Sequence, residues 1–93
     1  MAIDTRIEGS AAREVLVSFR EGLHARPAAI LAETASRFQG DVSVRTQNRQ
    51  ADGKSVLGLL TLGASFGESL IIETKGRDAS VALEAIVAVF AES

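Results

Sequence analysis

Apolar and polar residues alternate along this chain with two periods, and the changes of period mark out its elements. Val15, Val17 and Phe19 alternate with Glu14, Leu16 and Ser18, the two-residue period of a half-buried strand. A first strand is predicted over residues 13–19, ended by Arg20-Glu21-Gly22. The period then lengthens: Ala28, Leu31, Ala32, Ala35 and Phe38 recur at helical spacing, with Glu33, Ser36 and Arg37 opposite them, so a helix is predicted over 25–38, with Gly40 as its stop. Val42 and Val44 restart the alternation, and residues 48–52 read as a turn followed by a short, weak strand. Residues 55–62 are apolar on nearly every side. Their leucines favour helix over strand, Ser55 can cap that helix and Gly63 can end it. Leu70, Ile72 and Thr74 alternate as a last strand, and Ala79, Ala82, Leu83, Ile86 and Phe90 make the stripe of a last helix behind Asp78 as cap. The order is β-α-β-β-α-β-α, an α+β sandwich with helices on one face of a mainly antiparallel sheet.

Residues 1–12 show no period, so the expectation there is a flexible extension preceding a domain over 13–93. A length of 93 residues suits one hydrophobic core. The net charge of −2 provides no basic field for nucleic acid or an acidic membrane, so an anionic ligand must be held locally. No apolar run reaches transmembrane length, the start of the chain lacks the apolar core of a signal peptide, and there is no cysteine for disulfides or thiolate metal sites. The expectation is a cytoplasmic protein with no membrane insertion and no nucleic-acid partner.

The candidate chemistry gathers at Gly22-Leu23-His24-Ala25-Arg26-Pro27-Ala28-Ala29, which holds the only histidine and the only proline of the chain. Proline suits the first turn of a helix, which places His24 at a helix N-terminus. Unpartnered backbone N–H groups and the helix dipole favour an anion there, and Arg26 can add a charge-assisted contact. Other motifs fail on inspection. Gly53-Lys54-Ser55 lacks the glycine of a P-loop five positions earlier, where Asn48 stands. Gly63-Ala64-Ser65-Phe66-Gly67 spells a nucleophile elbow, but the histidine precedes the serine and the chain is too short for that hydrolase fold. One histidine without cysteine argues against zinc. Phosphoryl transfer remains, since an imidazole is a nucleophile and the reaction needs mainly alignment and charge stabilisation.

Two segments carry a resemblance to a known family. Gly22-Leu23-His24-Ala25-Arg26-Pro27-Ala28 resembles the active-site motif of the HPr family, the histidine phosphocarriers of the bacterial phosphoenolpyruvate-dependent sugar phosphotransferase system. Gly53-Lys54-Ser55-Val56-Leu57-Gly58-Leu59 resembles that family's regulatory-serine segment, at the expected separation. The resemblance implies an open-faced β-sandwich, four antiparallel strands in the order 1-4-2-3 with three helices on one face. It implies that His24 accepts a phosphoryl group at Nδ1 from phosphorylated enzyme I and passes it to a histidine of enzyme IIA, with Arg26 stabilising the phosphohistidine. Ser55 would match the serine modified by an HPr kinase/phosphorylase. Ala25, Ala29, Val56, Leu57 and Leu60 would form the partner-binding patch. The carrier would act as a monomer with no cofactor and no metal, a phosphoryl-transfer protein rather than a stand-alone enzyme.

Two alternatives stay open at this point. One is a regulatory binding module controlled through Ser55, whose other reading is a plain helix cap. The other is a carrier of a nitrogen-regulatory or dihydroxyacetone branch, with the same chemistry and a different acceptor.

Overall fold

In the computed structural model, which describes residues 4–91, the chain runs β1 (Asp4–Ile7), β2 (Ser10–Leu16), α1 (Ala25–Ser36), β3 (Val42–Arg45), β4 (Gln50–Asp52), α2 (Val56–Thr61), β5 (Ser69–Lys75) and α3 (Ala79–Ala91). One antiparallel sheet has the order β1-β2-β5-β3-β4. β5 lies between β2 and β3 and alternates along its length, with Leu70, Ile72 and Thr74 turned inward. Its register sets both neighbours: Thr74 stands between Ala11 and Val42, and Ile72 between Arg13 and Val44. The inward residues meet the apolar faces of the helices in a core that includes Leu31, Leu59, Leu83 and Ile86. The stripe predicted for the last helix is the face that α3 buries.

The sheet has five strands rather than four, and this corrects the expectation for the start of the chain. Leaving β1 aside, the order is the expected 1-4-2-3. Residues 4–12 form a hairpin with Glu8 and Gly9 at its turn, pairing Asp4 with Arg13 and Ile7 with Ser10. Met1 to Ile3 lie outside the described residues. The hydrophobic pattern could not announce this strand, because all four of its residues are exposed and backbone pairing needs no particular side chain. The adjoining strand also starts earlier than predicted, at Ser10, and stops at Leu16. Beyond that point Val17 makes its backbone bonds with the turn before β5, donating to Glu68 O at 2.9 Å and accepting from Gly67 N–H at 2.8 Å.

Charge fastens the hairpin. The Asp4 carboxylate accepts from Arg6 Nε at 3.0 Å and from an Arg13 guanidinium nitrogen at 2.7 Å. Arg13 also reaches Glu84 of α3 at 3.1 Å, and Arg6 contacts both Glu84 and Ser80. Hydrogen bonds from Arg6 hold the Asp4 and Glu84 carboxyls below their ordinary range, and Arg6 is in turn raised by its bond to Asp4.

Three contacts fix the segments around α1. The Phe19 and Phe90 rings pack at 5.4 Å between centroids, and the Ser18 hydroxyl donates to the Phe90 carbonyl, tying the chain after β2 to the end of α3. α1 stops at Ser36 rather than 38, because the Arg37 and Phe38 N–H groups turn back to Thr34 and Ala35 at 3.2 Å and tighten the last turn. Lys54 Nζ then donates to the Phe38 carbonyl at 2.7 Å. The lysine of the rejected P-loop pattern thus holds the carbonyl end of α1, where a cation is favoured.

The hairpin's ion pairs predict how it responds to acid. A carboxyl whose pKa is depressed on folding adds stability above its unfolded pKa and loses it as pH falls through the folded value. NMR cross-strand contacts between β1 and β2 should therefore persist at pH 7 and weaken below about pH 4. Glu84→Gln should weaken them already at neutral pH and flatten the acid transition.

Candidate functional site

The chain between β2 and α1 makes two tight reversals that present His24. Gly22 N–H donates to Phe19 O at 2.8 Å, and its carbonyl accepts from His24 N–H at 2.9 Å. Gly22 has φ +79°, and a Cβ there would lie 2.7 Å from the Ala64 carbonyl oxygen. Only glycine suits that conformation and that approach. The reward of the approach is a bond across two loops, Leu23 N–H to Ala64 O at 2.9 Å, with the Leu23 side chain buried beneath it.

His24 follows as the N-cap of α1, with extended backbone (φ −92°, ψ −171°). Its carbonyl accepts the first helical bond, from Ala28 N–H at 3.0 Å, while its side chain makes no capping bond. The imidazole is thus exposed and uncommitted. Pro27, in the first turn, has no N–H, so the N–H groups of Ala25 and Arg26 are the donors left at this helix end. Arg26 is exposed in the same turn, and no ion pair engages it among the described residues. A nucleophilic nitrogen, two backbone donors and a guanidinium at the positive end of a helix dipole suit a transferable anion.

His24 also lines an open groove, together with Arg20, Glu21, Leu23, Gly63, Ala64, Ser65 and Phe66. The Gly63-x-Ser65-x-Gly67 motif therefore faces the histidine, although as a loop rather than a nucleophile elbow. Sequence reasoning missed this wall. The available signal was a phenylalanine set between glycines, where a chain turn places its side chain outward.

Ser55 is the N-cap of α2 and accepts from Gly58 N–H at 2.9 Å. It is half-buried, and neither it nor Arg26 lines the His24 groove. α1 and α2 pack against each other. Of the predicted patch, Ala25 and Ala29 on α1 and Val56 and Leu57 on α2 are exposed, Leu57 to 72%. Leu60 is divided between surface and core, packing partly against the buried cluster. The apolar excess of this segment is accordingly split, with Leu59 fully buried on the inner side.

A family profile described as "PTS HPr component phosphorylation site" matches residues 11–92. The chain belongs to the HPr family. Its fold is that family's open-faced β-sandwich: it superimposes on the phosphocarrier protein HPr from Bacillus anthracis str. Ames with a TM-score of 0.82 at 36% identity, covering 87% of this chain and 96% of that one. Among curated relatives it is 41% identical over 76 residues to the phosphocarrier protein NPr of Shewanella violacea, covering 82% of this chain and 84% of the relative. It is 43% identical over 76 residues, 82% of this chain, to a multiphosphoryl transfer protein of Xanthomonas campestris pv. campestris, of which it spans only 9%. The matched region begins in β2 and leaves out β1, which stands at the sheet edge of this HPr-family phosphocarrier of the phosphotransferase system. Among the described residues, no helix is long and apolar enough to cross a membrane.

The loop crossing makes a sharp prediction for this HPr-family chain. Gly22→Ala combines a left-handed backbone with a clash against Ala64 O, so it should cost about 2 kcal/mol or more in urea denaturation. The Leu23 amide should lose hydrogen-exchange protection more than the amides of β5 do.

Proposed function

We propose that this chain carries a phosphoryl group on His24, receiving it from phosphorylated enzyme I and delivering it to a histidine of enzyme IIA. One observation carries the reading: the only histidine of the chain stands exposed at the N-cap of α1 with a ring that caps nothing. In the accepting step His24 Nδ1 forms the new N–P bond as the donor's N–P bond breaks, and the electron pair of that bond returns to the donor imidazole. No redox change is involved. The Ala25 and Arg26 N–H groups face the arriving oxygens, and the Arg26 guanidinium balances their charge. Phosphoryl transfer needs mainly positioning and charge stabilisation, so the step is governed by alignment between two proteins.

Ala25, Ala29, Val56, Leu57 and Leu60 serve in this reading as the apolar surface on which partners dock. The carrier works as a monomer in the cytoplasm, and the chemistry asks for no cofactor or metal. With labelled phosphoenolpyruvate and enzyme I, the parent should gain acid-labile label and His24→Ala none; equal labelling of the two would sink the assignment. Arg26→Ala should retain labelling but slow it by about tenfold or more.

The geometry of Ser55 favours a second role for the same molecule, as a switch on docking through an HPr kinase/phosphorylase. Its Oγ already accepts from the first turn of α2, a position that tolerates a phosphate. The added charge, about −2, would stand next to exposed Val56 and Leu57 and oppose burial of that surface. Kinase and ATP should add one acid-stable phosphate to the parent and none to Ser55→Ala, as read by mass spectrometry. That variant should lose about 1 kcal/mol of stability with the cap and still be labelled on His24.

A further inference from the structure

The groove beside His24 brings two charged side chains to the histidine, Arg20 and Glu21. Their place comes from the backbone. Gly22 N–H closes a turn on Phe19 O at 2.8 Å, with Arg20 and Glu21 as its two central residues. Both ends of that turn are anchored, since Phe19 packs on the core and against the Phe90 ring and Gly22 lies against the Ala64 carbonyl. The turn thereby fixes where the two side chains start, four and three residues before the histidine.

An exposed arginine is ordinarily a solvated charge. Arg20 differs in two respects. It joins no ion pair among the described residues, not even with the neighbouring Glu21. It also lines the groove that His24 lines, which Arg26 does not. A phosphoryl group on His24 adds negative charge at the edge of this groove. The planar guanidinium of Arg20 is suited to meet two of its oxygens at once, whereas the Glu21 carboxylate repels them.

We infer that Arg20 is a further site residue, whose guanidinium pairs with the phosphoryl oxygens on His24 from the groove wall. This rests on the phosphocarrier role proposed above. Arg26 acts from the first turn of α1 and Arg20 from the turn before it, so two cations on separate pieces of backbone hold the same group. Glu21 subtracts from that hold. The readiness of His24 to give up its phosphoryl group is therefore set in part by two adjacent charges of opposite sign.

The test is the equilibrium distribution of label between phosphorylated enzyme I and this chain, mixed in equal amounts without further phosphoenolpyruvate and diluted until the two proteins no longer stay bound. Such a constant depends on the end states alone, so a change in docking affinity alters the approach to equilibrium but not its position. Arg20→Gln should lower the constant about threefold, and Arg20→Lys should lower it less. Glu21→Gln should raise it about twofold. Both differences should shrink between about 0.05 M and about 1 M salt. Because both side chains are exposed, the melting temperatures should match the parent's. An unchanged constant for Arg20→Gln overturns the inference, even where transfer is slower, since that is a docking defect. A shift in the same direction for Arg20→Gln and Glu21→Gln also overturns it, because it reports a distorted turn rather than charge. Failure of the parent to take label, or label that persists in His24→Ala, refutes the His24 role instead.

Discussion

The approach of two backbone loops at Gly22 and Ala64 is the constraint on which the functional end of the molecule depends. It requires a missing Cβ, a left-handed φ and a carbonyl free to accept Leu23 N–H. From it follow the position of His24 at the cap of α1, the wall of the groove beside it and the height at which Phe66 stands. A directional bond and a close backbone contact add to the packing of Leu23 and Ala64 in the core. His24 follows directly on a loop that backbone bonds brace against a second loop.

The rest of the fold divides its interactions by depth. Inside, Leu70, Ile72, Leu83 and Ile86 pack with no exposure above 1%. The buried Thr74 hydroxyl is satisfied by donating to Ala79 O at 2.6 Å, which joins the central strand to the start of α3. Outside, the β1 hairpin buries none of its four residues and is fastened by Asp4, Arg6, Arg13 and Glu84. Short, charged edge strands resist pairing with other chains, and β1 covers the longer edge of β2 in that manner. Lys54 belongs to the same economy of local contacts. It completes α1 through the Phe38 carbonyl.

Around α2, apolar surface is left over where the core has no room for it. α2 has only six residues, so a buried Leu59 leaves Val56 and Leu57 to solvent. Phe66 is left out for another reason, since turn geometry rather than a crowded core holds it in water. The exposed apolar surface is thereby divided among separate points, Val56 and Leu57 on α2 and Phe66 on the loop after it, rather than gathered in one large face.

Local chemistry was legible in the sequence wherever one residue type had one physical consequence. Periodicity located α1, β3, β5 and the α3 stripe, Pro27 placed His24 at a helix start, and Ser55 announced its cap. The HPr resemblance supplied the sheet order from the same residues. Residues 4–12 escaped because an exposed edge strand has no apolar alternation, and Glu84, which pairs with its Arg6, is remote in sequence. The groove escaped for a related reason. Gly22 and Ala64 are joined only after the sheet brings β2 beside β5, and no pattern along one segment encodes a contact between two. The sequence by itself therefore determined that the chain's only histidine stands at a helix start and which faces α1 and α3 bury. Tertiary structure alone decided what stands around that residue, because loop crossings and salt bridges depend on distances in space rather than spacing along the chain.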